Sequence, residues 1–128
     1  MVDSEKITIK MSVVDLGKVD LLVDEGFYAN RTDFIRTAIR NQLDRHDDEV
    51  KQSAGRKEMA IGVVVYGRRE LEEFEEEGTR LTISLVGLFI LTDDVTPELA
   101  LATIKSVKVS GVFRASKAVK DALGDRIH

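Results

Sequence analysis

Lys6, Thr8 and Lys10 alternate with Ile7, Ile9 and Met11, so three hydrogen-bonding side chains share one side of an extended segment and three apolar ones share the other. Two cations and a hydroxyl at that spacing suit non-covalent recognition of a surface rich in acceptors. A second group is Asn30-Arg31-Thr32, placed just before an apolar helical stripe. There a capping side chain, a guanidinium, a hydroxyl and free helix-start amides converge, which favours an oxyanion. Covalent chemistry has no comparable group. Cysteine is absent, and the two histidines, His46 and His128, stand far apart. Thiol catalysis, disulfides and a nickel or zinc site are therefore not expected. Asp93, Asp94 and Glu98 can hold a hard cation, but the triplet reads first as a turn and an acidic helix start. There is no phosphate-cradling glycine loop and no nucleophile with a marked base, so the chain is not expected to be an enzyme, and no cofactor is expected.

The elements that must position these residues can be read from the same stretch. Lys6 to Met11 is β-branched and alternating, as a strand with unlike faces is. Ser12 with Asp15 three residues on resembles a capping box, and Leu16, Val19, Leu22 and Val23 recur at helical spacing. Gly26 predicts the end of that helix. Phe27-Tyr28-Ala29 connects it to a second helix capped by Asn30, with Phe34, Ile35, Ala38, Ile39 and Leu43 as its apolar side. Arg36, Arg40 and Arg45 lie mostly off that side. A single strand has no partner for its backbone groups. Pairing with the same strand of a second copy makes a two-stranded ribbon whose apolar underside four helices can cover. Its upper face then shows Lys6, Thr8 and Lys10 twice, and a ribbon of that width fits the major groove of DNA.

Lys6-Ile7-Thr8-Ile9-Lys10-Met11-Ser12, followed by Gly26-Phe27-Tyr28-Ala29-Asn30-Arg31-Thr32-Asp33-Phe34-Ile35-Arg36-Thr37-Ala38-Ile39-Arg40, resembles the ribbon–helix–helix repressors typified by Arc, MetJ and CopG. The resemblance implies an intertwined homodimer on double-stranded DNA. It implies that Lys6, Thr8 and Lys10 contact bases and that Asn30, Arg31 and Thr32 hold a phosphate. A nickel-responsive member of that group carries a further C-terminal domain, but its metal site needs clustered His and Cys that this chain lacks.

From Asp47 to Glu58 the chain has almost no apolar content, and Gly55 predicts a break, so a linker is expected at 49–58. It could also prolong the second helix by a turn or two. Beyond it, Ala60 to Tyr66, Leu81 to Leu91 and Val107 to Arg114 read as strands. Arg69 to Glu77, Leu99 to Ile104 after Thr96-Pro97, and the stretch from Ser116 to Leu123 read as helices. Ile83, Leu85, Gly87, Leu88, Phe89, Thr92, Val95 and Leu99 reappear as Val107, Val109, Gly111, Val112, Phe113, Ser116, Val119 and Leu123, a period of about 24 residues. Stacked strand–turn–helix units with parallel strands are the expected result. The acidic run Glu70, Glu72, Glu73, Glu75, Glu76 and Glu77 reads as a solvated face.

The 128 residues carry a net charge of −4, which argues against coating nucleic acid through bulk charge but not against a local contact face. No apolar run approaches the roughly 20 residues of a membrane span. Met1-Val2-Asp3-Ser4-Glu5-Lys6 lacks the plan of a signal peptide, so a soluble, cytoplasmic protein is expected. The whole reads as an α+β chain: residues 1–48 a ribbon–helix–helix DNA-binding and dimerisation module, 49–58 a linker, and 59–128 a small β/α repeat domain. That last domain would serve oligomerisation, up to a tetramer or beyond, or effector binding. The expected function is a transcriptional regulator that represses from a palindromic operator. The alternatives are an antitoxin of a toxin–antitoxin pair and a self-assembling scaffold built on the C-terminal repeats.

Overall fold

The computed structural model describes residues 4–128. Residues 1–3, which open both the stretch read against a signal peptide and the expected first module, lie outside them. The chain mixes helix and strand and divides into two compact units, one made of residues 6–53 and the other of residues 54–128 together with the segment before Lys6.

In the first unit, α1 spans Val13–Asp24 and α2 spans Arg31–Arg45. Ser12 caps α1, its hydroxyl accepting from the amides of Val14 and Asp15 at 3.2 and 3.4 Å. Gly26 turns the chain out of α1 with φ +83°, a conformation that costs glycine nothing. The Tyr28 ring then meets Phe34 edge-on at 5.0 Å, joining the connection to α2. Among residues 6–53 only Val19 is buried. One buried valine is far too little apolar burial to offset the ordering of such a chain.

The linker expected at 49–58 is mostly helical: α3 spans Asp47–Arg56. It starts directly after His46, whose amide still bonds back to Gln42 and Leu43. Three acidic residues in its first turn favour the positive helix start, and Lys51 reaches Asp47 at 2.9 Å one turn away. Helix propensity and local charge thus carry a segment with little apolar periodicity. The break lies a few residues past Gly55, at Glu58, with φ +54°.

In the second unit the order is β1 (Ala60–Tyr66), α4 (Arg68–Glu77), β2 (Leu81–Leu91), α5 (Pro97–Thr103), β3 (Ile104–Arg114) and α6 (Lys117–Leu123), closed by a 3-10 turn at Gly124–Arg126. The strands form one sheet in the order β1-β2-β3, and both pairings are parallel. β3 starts at Ile104, earlier than the expected Val107, because α5 passes straight into it with no intervening loop. Arg126 donates to the carbonyls of Leu101 and Ile104, both at 2.9 Å, and so satisfies groups that the end of α5 leaves open.

Leu71, Leu99, Val119 and Leu123 of the three helices, with Val95 of the turn before α5, are buried against Ile83, Leu85, Phe89 and Leu91 of β2 and Val107 of β3. Phe89 is fully buried; it stacks on Phe113 at 5.2 Å and takes the edge of Tyr66 at 6.0 Å. Tyr66 in turn meets Phe74 of α4 at 5.5 Å. The register places Gly62 beside Gly87 and Gly87 beside Gly111. All three have φ between +129° and +148°, and a Cβ on Gly87 or Gly111 would stand 2.1 Å from the carbonyl oxygen of the glycine before it. Side chains alternate along these strands, so Ile61, Val63 and Val65 point away from the helices.

Candidate nucleic-acid interface

Residues 6–11 belong to no helix or strand in the single chain, and all six are exposed. The expected strand does not form in the single chain, and the reason is physical: a β-ladder needs a second strand, and the described residues supply none at this position. The apolar members stand as open as the polar ones, with Ile7 73% and Ile9 63% exposed. Apolar side chains of α1 and α2 share that condition: Leu21 is 59%, Ile39 47% and Leu43 59% exposed. An uncovered apolar set of this kind marks an association surface.

The second group sits at the start of α2. Asn30 is the N-cap, and its amide oxygen accepts from the Asp33 N–H at 2.8 Å. Asp33 returns the contact by accepting from the Ala29 N–H at 2.9 Å. Thr32 is exposed in the first turn. Arg31 is engaged: its Nε and Nη2 donate to the two carboxylate oxygens of Asp20 at 2.7 and 2.8 Å. This two-pronged pair ties α2 to α1, and Asp20 is the residue that sequence reasoning missed. The two positions are eleven apart and on different helices, so no local spacing announces the contact. The structure therefore brings Asn30, Arg31 and Thr32 together at one helix start, while Lys6, Thr8 and Lys10 lie on a separate exposed segment.

The Arg31 hydrogen bonds hold the Asp20 carboxyl below the usual aspartate range, with charge attraction adding and desolvation opposing. A lowered folded-state value means the pair is intact above the ordinary aspartate pKa. Its contribution is lost as pH falls through the lowered one. In a carboxyl-carbon NMR titration, Asp20 should titrate below the usual range, and Arg31→Ala should return it there. An Asp20 titration that ignores the substitution would mean the pair does not hold in solution.

The acidic groups of the second unit are occupied differently. Asp94 accepts from the Thr92 hydroxyl and, at 3.2 Å, from the Arg68 amide, and these bonds lower its carboxyl pKa. It therefore pins the turn between β2 and α5. Among the described residues no group of three carboxylate, His or Cys side chains is placed to hold a metal ion. An open hollow of about 330 Å³ is lined by Arg68, Glu72, Glu75, Glu76, Thr96, Glu98 and Leu99. Arg68 in it is already paired with Glu72. No helix among the described residues is long and apolar enough to cross a membrane.

Comparison with known proteins bears on most of the chain. The sequence model of the Ribbon-Helix-Helix transcriptional regulator family matches residues 2–120. Among curated proteins, the chain is similar to the transcriptional regulator CdrS of Halobacterium salinarum, with 31% identity over 45 residues, which is 35% of this chain and 82% of that protein. No solved structure matches. A family match running from residue 2 to residue 120 takes in both units, and the chain belongs to the ribbon-helix-helix transcriptional regulator family.

Proposed function

We propose that the chain is a sequence-specific DNA-binding repressor, cytoplasmic and without catalytic activity, that acts as a homodimer on a palindromic operator. One observation carries this reading. Residues 6–11 keep their alternating polar and apolar faces yet stand uncovered, beside helices whose apolar sides are also uncovered. A second copy supplies both the missing strand and the missing cover. The paired segments form a ribbon that enters the major groove, where Lys6, Thr8 and Lys10 meet base edges. The start of α2 holds a flanking phosphate through its open amides, with Asn30 shaping the turn and Thr32 adding a hydroxyl. Arg31 exchanges Asp20 for the phosphate and so acts on the backbone of the duplex rather than on its sequence.

On this reading residues 1–48 are the DNA-binding and dimerisation module and 59–128 are a β/α repeat domain. The in-register pairs Ile83 with Val107, Leu85 with Val109, Gly87 with Gly111 and Phe89 with Phe113 support the repeat.

The test is selection of bound duplexes from a random pool, repeated with variants. Thr8→Ala or Lys10→Ala should remove about 1–3 kcal/mol of discrimination at the contacted base pairs and so flatten the selected motif. Arg31→Ala should weaken binding to every duplex alike and leave the motif unchanged. A motif that survives Thr8→Ala and Lys10→Ala intact would count against readout by the ribbon.

A further inference from the structure

We propose that the free edge of β1 pairs with β1 of a second copy of this chain, antiparallel across the dimer's two-fold axis, so that two three-stranded sheets become one continuous sheet. The proposal rests on the dimer argued above, which brings two copies of the sheet unit together, and it adds a second interface to that dimer.

The two edges of the sheet are treated differently. At β3 the outer side is engaged at one point, where Ile127 pairs with Val107 and the His128 N–H donates to the Val107 carbonyl at 2.8 Å, and the strand carries Lys105, Lys108 and Arg114. At β1, among the described residues, the only ladder partner is β2. Edge strands that must stay unpaired are normally blunted by charge, proline or a covering segment. β1 reads Ala-Ile-Gly-Val-Val-Val-Tyr, with no charge and no proline. Its outward side chains are exposed too, Ile61 at 57%, Val63 at 55% and Val65 at 48%, whereas Leu88 on the neighbouring strand is 6% exposed. The uncovered apolar surface is thus concentrated on the strand whose backbone is also unpaired.

A partner strand answers both conditions, and a second copy is the partner the geometry selects. Because β1 carries no charge, no like charges oppose one another across a two-fold axis. Head-to-tail addition of β1 to a neighbour's β3 meets the segment bridged to Val107, whereas a β1–β1 pairing is closed by the two-fold axis and leaves neither β1 edge bare. Gly62 supports close approach. On β2 and β3 the equivalent glycines lack the Cβ that would strike the preceding strand's carbonyl, and Gly62 has the same backbone twist with nothing within 4 Å of its own Cβ position. Finally, two copies joined at the ribbon hold their β1 edges at an effective concentration far above that of free chains.

The full chain contains no cysteine, so Ile61→Cys, Val63→Cys and Val65→Cys each introduce a sole thiol at an exposed position. Each is oxidised mildly and followed on non-reducing gels, with Glu75→Cys and Ser110→Cys as controls and sedimentation reporting the assembly. At least one β1 thiol should form a covalent dimer roughly tenfold faster than the controls, at a rate independent of protein concentration. β1 thiols no faster than the controls in a chain that sediments as a dimer would overturn the pairing and leave the ribbon dimer standing. A rate proportional to concentration would overturn it as well, because the contact would then join separate dimers. So would a mixture in which Val63→Cys prefers Ser110→Cys chains, which marks head-to-tail stacking. A chain that sediments as a monomer would remove the ribbon dimer itself, and this pairing with it.

Discussion

Gly87→Ala is expected to unfold the sheet unit at ordinary temperature. Two costs act together at this residue. Its φ of +137° lies where only glycine is comfortable, which by itself costs an alanine roughly 1–3 kcal/mol. The added Cβ would also stand 2.1 Å from the carbonyl oxygen of Gly62, a backbone atom held in the β1–β2 ladder. Relief requires the two strands to part, and β2 is the central strand, carrying the fully buried Phe89 two residues away. Strand separation there loses core contacts as well as ladder hydrogen bonds, so the total should exceed about 3 kcal/mol, a large share of a typical domain's 5–15 kcal/mol. Gly62→Ala is the matched control. It has a similar φ, but within its own sheet its Cβ would meet nothing within 4 Å, so the fold of the sheet unit bears only the conformational cost. Urea titrations followed by circular dichroism should show a much larger loss for Gly87→Ala than for Gly62→Ala. Equal losses would mean that strand approach is not what demands the glycine.

The second large effect is expected at the other end of the chain. Ile9→Asp places a carboxylate on the apolar side of the segment that, on the proposed reading, pairs with a second copy, and two-fold symmetry does so twice. Burying an unpaired carboxylate is so costly that the group either neutralises or keeps the surface open to water. The first unit cannot absorb the loss, since Val19 is its only buried residue in the single chain. Dimerisation through the ribbon should fail at micromolar concentration, and with it the paired display of Lys6, Thr8 and Lys10. Duplex affinity should fall by more than about a hundredfold, since specific binding typically exceeds non-specific binding by 10³ or more. Sedimentation and duplex titration on one preparation check both points. A variant that still sediments as a dimer and binds its operator normally would show that Ile9 is not covered by a partner. Thr8→Ala, one residue away on the opposite side, should leave the mass unchanged.

How much of this was legible in the sequence depended on where each signal originates. Helix starts were legible because caps are local: Ser12, Asn30, Thr96 and Ser116 each accept the amide bonds their types suggest. β2 was legible end to end, because a long β-branched run bounded by turn residues has few other solutions. α3 was obscured because its helix is held by propensity, end charge and the Lys51–Asp47 pair, not by an apolar stripe. The start of β3 was obscured because no glycine or proline separates it from α5. At the candidate site the residue types and their alternation were legible, but the engagement of Arg31 by Asp20 was not, because packing of α1 on α2 creates it. The strand at residues 6–11 is the opposite case: its pattern is plain, and its ladder needs a partner outside the single chain.

The placement of the aromatic rings gives the protein a built-in optical division. It has no tryptophan and two tyrosines, and each unit holds one of them against a phenylalanine edge: Tyr28 on Phe34, Tyr66 on Phe74. Emission from a Tyr66→Phe chain therefore comes from the first unit alone, and emission from a Tyr28→Phe chain from the second. Melting of either half can be followed by fluorescence in the full-length protein, with no dye attached and neither half cut away.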